Sequence, residues 1–381
     1  MTEKKLINKL IEFRHELHQY PELSHNESQT QERIINFLKY LKPSKIIKNI
    51  GGYGLAYIYD SGVPGNTVMF RSDMDALPIT EVNKFDYISK NQGVAHLCGH
   101  DGHIAVLCGF ANLADKNPPK KGKLVLLFQP AEETGEGANL VVTDKKFAEI
   151  KPDYSFAFHN LPGFQKNSIC IKNGSFASAS TGIIIDLKGL SSHAAHPEDG
   201  NNPDKCIAEL IYEFNKISEN KNNYKDYTLI TIIHIKLGEI AFGTTPGKAV
   251  IMATLRTYRN DDMQKLQSDV KSIVKKTCKK FNITYNVSFT EEFPATYNNE
   301  HTYSIVKNAI ENNNFNSIEL KAPFRWSEDF GHFTLISKAA LFGIGSGINH
   351  PQLHNEDFDF PDEIIETGIL MFNDIYKQLL F

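Results

Sequence analysis

The stretch HLCGHDGH at 96–103 packs Cys98, the imidazoles of His96, His100 and His103, and Asp101 into eight residues. A Cys-x-His pair can place a thiolate and an imidazole on one metal ion when the backbone between them is not helical, and Gly99 makes such a loop cheap. A buried cysteine with hydrogen-bonded histidines in a turn is the plainer alternative; the density of ligand-type side chains argues for metal. Glu132 and Glu133 follow Pro130 at the end of an apolar run. Adjacent carboxylates on a loop point different ways, so one could bind metal while the other takes a proton from a water. A solvated acidic turn is the alternative, and the position at a strand end weakens it. His159 ends YSFAFH and His354 lies in PQLHNEDF. Either histidine alone reads as structural. Jointly, Cys98, His100, Glu133, His159 and His354 could hold two borderline-soft divalent cations such as zinc, manganese or cobalt.

Other residues are less decisive. His15-Glu16-Leu17-His18 resembles a zinc-protease helix motif, but the required i, i+4 histidine spacing fails at Gln19; this helix reads as structural. Gly345-Ser346-Gly347 lacks the lysine and helix opening of a phosphate loop. His193, in GLSSHAAHPEDGNNP, sits among small residues that would let a ligand approach closely; a surface turn is the equal alternative. Arg256, inside an apparent strand, is either a surface cation or a bidentate clamp for a substrate carboxylate.

These residues need elements to hold them. Leu6, Ile7, Leu10, Ile11 and Leu17 recur at helical spacing, which predicts an amphipathic helix over 4–18. Ser24 with Glu27 forms a capping-box pattern before a second helix that ends ahead of Pro43. TVMF (67–70), KLVLLF (123–128), YSFAF (154–158) and AALFGI (339–344) read as buried strands of an α/β sheet. Each leads into polar residues. Ligands of open α/β sheets bind beyond the carboxyl ends of strands, so the four runs predict one shared site. The middle of the chain alternates more like half-solvated strands, at 181–189, 228–238, 248–258 and 285–289, with helices near 203–218 and 261–280. This order predicts an inserted α+β domain over 180–293, within an outer domain formed by 1–179 and 294–381. The Asn- and Lys-rich stretches 219–227 and 311–317 read as loops.

Composition narrows the function classes. The 381 residues suggest about two domains. A formal net charge of −4, from 41 Lys+Arg against 45 Asp+Glu, favours neither nucleic acid nor an anionic membrane as partner. No apolar run approaches the ~20 residues of a membrane span, and no signal-peptide core is visible. Five cysteines, odd and sparse, suggest a reducing compartment. A cytoplasmic protein is expected.

Taken together, FRHELHQYPELSHNE, FRSDMDALPITE, HLCGHDGH, FQPAEETGEGA, FHNLPG, SSHAAHPEDGNNP, WSEDF and LHNEDFDFPD resemble the dinuclear metallo-amidohydrolases. That family includes aminoacylases, hippurate hydrolase, N-acetyl-diaminopimelate deacetylase and auxin-conjugate hydrolases, with carboxypeptidase G as a more distant relative. The resemblance implies a zinc-exopeptidase-like α/β catalytic domain with an inserted α+β lid that often dimerises. It implies that Cys98, His100, Glu133, His159 and His354 hold two divalent ions, zinc or manganese, with cobalt or nickel also possible, and that Cys98 bridges them. It makes Glu132 the general base and His193 the lid histidine that stabilises the tetrahedral intermediate. Asp75, Asp101 and Glu328 would stand behind the ligands or in the pocket wall. Arg256, matching only loosely, Asn202 and Gly345 are the substrate-binding candidates. The implied reaction is amide hydrolysis of an N-acyl amino acid or similar small conjugate, in a homodimer. A metallo-exopeptidase acting on dipeptides, or as a carboxypeptidase, is the alternative within the same site; a non-catalytic binding protein is disfavoured by the intact Glu132.

Overall fold

The four apolar runs lie side by side in one sheet. A computed structural model of the chain describes residues 3–219 and 223–381, and the chain forms two compact units. The first comprises the chain up to Phe176 together with Thr296–Pro323 and Asp329–Phe381; the second comprises Ala177–Ala295 and Phe324–Glu328.

The first unit begins with α1 (Glu3–Gln19), α2 (Ser28–Phe37), β1 (Lys45–Ile50), β2 (Gly54–Asp60) and β3 (Thr67–Asp73). It continues with α3 (His100–Lys116), β4 (Lys123–Gln129), α4 (Gly137–Thr143), β5 (Tyr154–Pro162), β6 (Ile169–Ile171) and β7 (Gly174–Ala177). The second unit contains β8 (Ala179–Lys188), α5 (Asp204–Glu219), β9 (Thr228–Leu237), β10 (Lys248–Thr257), α6 (Asn260–Lys280) and β11 (Thr284–Phe293). The chain then returns to the first unit with β12 (Thr296–Asn298), α7 (Glu300–Asn312), β13 (Ser317–Glu319), α8 (Gly331–Thr334), β14 (Lys338–Gly347) and α9 (Ile365–Leu380).

The large sheet has eight strands in the order β1-β2-β4-β3-β5-β14-β6-β13. Its centre, β4-β3-β5-β14, is parallel throughout, so the carboxyl ends of all four predicted strands share one edge. Burial on both faces explains their unbroken apolar sequences. Helix α3 packs against α1, α9 and β3, and is buried from His100 through Ala111. On α1, Leu6, Leu10, Phe13 and Leu17 form the buried stripe that its spacing predicts.

In the second unit, β11-β8-β10-β9 form an antiparallel sheet. The alternating burial of β10 shows one covered face, where Leu210 and Phe214 of α5 and Leu266, Val270 and Val274 of α6 join the strands in one core. Strand β9 is an edge, with Ile233, Ile235 and Leu237 exposed.

Some details differ from the sequence reading. The sequence pattern puts residues 324–328 in the outer domain, yet they pack with the second unit. Ala177 bridges Phe324, and the Ser178 N–H donates to the carbonyls of Phe324 and Trp326. Helix α7 extends through Glu311 and Asn312, into the stretch read as a loop. The loop expected at 219–227 includes 220–222, which lie outside the described residues. Ser24 and Glu27 do not cap α2: no side chain at the Glu27 cap position bonds the helix. Among the described residues, no helix is long and apolar enough to cross a membrane.

Candidate metal centre

Six of the predicted residues meet at the carboxyl edge of the central strands. Cys98 lies in the loop before α3, and His100 is the first residue of that helix. Gly99 between them has φ +98, and a Cβ there would lie 2.3 Å from Asn160 Oδ1. A left-handed residue in so tight a place has to be glycine, and this turn brings the thiol and the imidazole to one spot. Glu132 and Glu133 follow β4, His159 lies within β5, and His354 lies in the loop after β14. His354 is itself left-handed (φ +66), with its N–H donating to Leu97 O at 2.8 Å.

The ligand atoms of Cys98, His100 and His159 lie within 4.8 Å of one another, as do those of Cys98, Glu133 and His354. Cys98 is common to both triads. Its sulfur is 3.5 Å from His159 Nε2. His100 Nε2 is 3.8 Å from Glu133 Oε1 and 3.9 Å from Glu132 Oε2, and His354 Nε2 is 3.6 Å from Glu133 Oε2.

Two buried atoms at the centre, His100 Nε2 and Glu133 Oε1, have no hydrogen-bond partner among the described residues. Buried polar atoms are ordinarily satisfied, and these two face each other with further ligand atoms around them. The donor set of one sulfur, three imidazoles and one carboxylate suits borderline-soft divalent cations. The residues therefore fit a pair of such ions.

Charge in the site points the same way. Burial alone would discourage protonation of His100, but Asp73, Glu133 and Asp75 outweigh it and raise its pKa to about 10. Burial, assisted by Asp75 and Asp73, pushes Glu133 up to about 8. The site thus holds protons against an excess of carboxylates, the same charge that would face a cation. His159 is held well below the imidazole range by burial and by neighbouring His103, so it stays in the neutral form that a metal ligand requires.

Asp75 stands directly behind these groups. Its backbone carbonyl accepts from His100 Nδ1 at 2.9 Å, and its Oδ2 accepts from the Glu133 N–H at 2.9 Å. This fixes the tautomer that leaves His100 Nε2 pointing inward. Glu132 is held separately, with its Oε1 accepting from the Asp329 N–H at 3.3 Å.

Asp101 and Gly345, also predicted, lie in the first unit with partners of their own. Asp101 points away from the cluster, accepting from His18 Nδ1 at 2.9 Å and from Arg14 at 3.3 Å. Gly345 has a packing role instead of a free backbone group. Its N–H donates to Ser168 O, its carbonyl accepts from the Asn167 N–H, and a Cβ would lie 2.0 Å from Gln165 O. His193 and Asn202 lie in the second unit. His193 is exposed and bridges Thr244, while Asn202 Oδ1 accepts from the Asp204 N–H as α5 begins. Arg256 is committed within that unit, donating to Arg325 O at 2.9 Å and Ser327 Oγ at 3.1 Å. Glu328 also belongs to the second unit, whereas Asp329 belongs to the first.

Sequence reasoning missed the buried supports. Asp73 Oδ1 accepts from His103 Nδ1 at 2.6 Å, and His103 Nε2 meets Asn160 Oδ1 at 2.7 Å. Arg71 bonds Asp73, Gln129 and Asp329 at 2.6 to 2.8 Å. A signal was present, because Arg71, Asp73 and Asp75 alternate after an apolar strand and two of them share a face of β3.

The family model of the peptidase family M20/M25/M40 matches residues 69–378. An uncharacterized hydrolase of Staphylococcus epidermidis is 35% identical over 366 residues, covering 92% of this chain and 93% of its own. A protein of methicillin-resistant Staphylococcus aureus, provisionally described as an aminohydrolase, superposes with TM-score 0.91 at 24% identity, covering 99% of this chain and 98% of its own. The YXEP protein of Bacillus subtilis, described as a dinuclear metal-binding peptidase of the M20 family, superposes with TM-score 0.84 at 21% identity, covering 99% of both chains. Both superpositions span the α/β fold with its second unit. The match in sequence and the ligand cluster at the sheet edge agree: the chain belongs to the peptidase family M20/M25/M40 and is a metal-dependent hydrolase.

Proposed function

We propose that this protein hydrolyses the amide bond of an N-acyl amino acid or a similar small conjugate. The observation that carries the reading is the division of labour between two adjacent carboxylates. Glu133 faces His100 and His354, while Glu132 is anchored by the Asp329 N–H and turns its second oxygen toward the same centre. Cys98, His100, Glu133, His159 and His354 would hold two divalent ions, zinc or manganese, with Cys98 shared. Such ions supply Lewis acidity and lower the pKa of water toward neutrality. Glu132 takes the proton of the attacking water and delivers it to the leaving amine. His193 donates to the oxyanion as charge develops, an interaction worth about 3 kcal/mol where measured elsewhere.

One similar structure is described as an aminohydrolase and another as a dinuclear metal-binding peptidase, so cleavage of a small conjugate and cleavage of a peptide are the two readings to separate. Metal-stripped protein, reloaded with zinc, manganese, cobalt or nickel, should release amine from N-acyl amino acids. Release from dipeptides alone would move the assignment to peptidase, and silence from metal-loaded protein would overturn both.

We also assign a homodimer formed through β9, which carries exposed Ile233, Ile235 and Leu237 and pairs only with β10 among the described residues. Ile235→Lys should give monomers in sedimentation, and an unchanged mass would reject that edge. Mixing His193→Ala with Glu132→Gln chains should restore activity if His193 serves the partner's centre; no recovery after subunit exchange would place its action within one chain. Five buried free cysteines suit the cytoplasm, where we place the protein.

A further inference from the structure

Ser24 and Glu27 have the spacing of a capping box, yet neither caps α2. That role falls to Glu22, whose carboxylate accepts from the N–H groups of Gln29 (3.3 Å) and Thr30 (2.7 Å) and from the Thr30 hydroxyl (2.9 Å). Freed from the helix, Ser24 and Glu27 reach two different loops of the metal centre. The Ser24 hydroxyl donates to Asp75 Oδ2 at 2.6 Å, the same oxygen that accepts from the Glu133 N–H. Glu27 Oε1 accepts from the Ala131 N–H at 2.8 Å. The backbone also ties this segment down: Leu23 bridges Ala76, and the Ala76 N–H donates to Glu22 O at 2.8 Å.

Ala131 is the key to the geometry. It immediately precedes Glu132 and Glu133 and is left-handed, with φ +53. That conformation is unfavourable for an alanine and persists only where the surroundings impose it. The Ala131 N–H is inside the protein, and the Glu27 carboxylate is its acceptor. Glu27 is itself fully buried, and its Oε2 has no hydrogen-bond partner among the described residues. Burial, with the charge of Asp75 nearby, pushes its pKa up to about 7. Stability alone would favour an apolar side chain here, because a half-satisfied buried carboxyl is costly.

We propose that Glu27 and Ser24 are positioning residues of the metal centre: Glu27 locks the left-handed turn at Ala131 that aims Glu132, and Ser24 fixes the Asp75 carboxylate that holds Glu133. The activity readout rests on the hydrolase reading above; the exchange readout does not.

The test compares Glu27→Ala, the volume-matched Glu27→Met and the acceptor-retaining Glu27→Gln in the full-length, metal-loaded protein. Each is assayed for kcat, KM, bound metal and hydrogen exchange at the Ala131 amide. Glu27→Ala and Glu27→Met should lose about 30-fold in kcat with KM within about threefold. Their Ala131 amide should exchange about 100-fold faster, with metal stoichiometry kept. Glu27→Gln should recover most of the rate, because its carbonyl accepts the same N–H. Ser24→Ala should lose about fivefold in kcat. If Glu27→Ala fails to fold, Glu27→Met carries the same test without the cavity. Wild-type kcat in Glu27→Met, unchanged Ala131 protection, or a Gln variant as slow as Met would overturn the proposal. A wild-type protein that cleaves no amide would instead refute the functional reading, and the exchange comparison would still decide this one.

Discussion

His18 and His100 are two fully buried histidines, each packed against carboxylates, and they have opposite designs. His18 bonds Asp101 through Nδ1 (2.9 Å) and Glu81 through Nε2 (3.2 Å), so both ring nitrogens are spent. The oxygens of Asp101 and Glu81 are likewise taken, by Arg14, the Gly102 N–H, Asn83 and the Ser89 N–H. His100 bonds only through Nδ1, and its Nε2 faces Glu133 with no hydrogen bond among the described residues. The first arrangement is closed and structural; the second presents ligand atoms. An orphan nitrogen alone does not mark a metal site. Among the described residues, His96 has no hydrogen-bond partner for either ring nitrogen and joins no cluster of ligand atoms, and burial holds it neutral with a pKa of about 4. Convergence of several such atoms is the distinguishing feature.

The contrast can be broken or sharpened in four ways. The largest effect is expected from His100→Ala, which should cut kcat by about 1,000-fold or more and reduce bound metal while leaving the fold intact. Normal metal content in that variant would erase the distinction. Metal removal comes next. Chelation should lower unfolding stability by about 3–4 kcal/mol relative to protein with metal at 100–1,000 times its Kd, and His100→Ala should lose most of that difference. His18→Asn should show the reverse pattern, losing about 3 kcal/mol of stability with metal stoichiometry kept. Urea unfolding alongside metal analysis reads both outcomes.

The smallest effect is in pH dependence. Burial opposes protonation of His18, but its hydrogen bonds to Asp101 and Glu81 prevail and raise its pKa from 6.5 to about 9. Because the folded value is the higher one, the stabilisation is complete below about pH 6.5 and is lost as pH rises through about 9. Unfolding free energy should fall by about 1–3 kcal/mol across that window. His18→Asn should flatten the decline, and an unchanged slope would assign it to other groups.

Much of this was legible in the chain. The apolar runs became adjacent parallel strands because burial on both faces leaves a continuous hydrophobic signature. Their polar tails converged because parallel strands end together. Residue type, and places at strand ends or in glycine-rich turns, single out Cys98, His100, Glu133, His159 and His354 as candidates, and the structure brings their ligand atoms together. Other features depended on contacts between distant segments. Ser24 and Glu27 satisfied a local pattern, but tertiary partners at Asp75 and Ala131 claimed their side chains. Asp101 sits next to His100, yet the helix turns its carboxylate toward α1. Asp73 is legible from its alternation with Arg71 along β3, whereas Asp329 meets Arg71 from 258 residues away, which no local spacing reveals. Gly345 looked available for substrate, but its close packing against Gln165 and Ser168 uses it up.

The central claim is that Glu132 moves the proton while its neighbour holds metal. Glu132→Gln, assayed for amide hydrolysis and bound metal in the same sample, tests it most directly. The account predicts full metal occupancy with kcat lowered by about 100- to 10,000-fold. Turnover near the wild-type rate, or loss of metal in step with loss of activity, would contradict it.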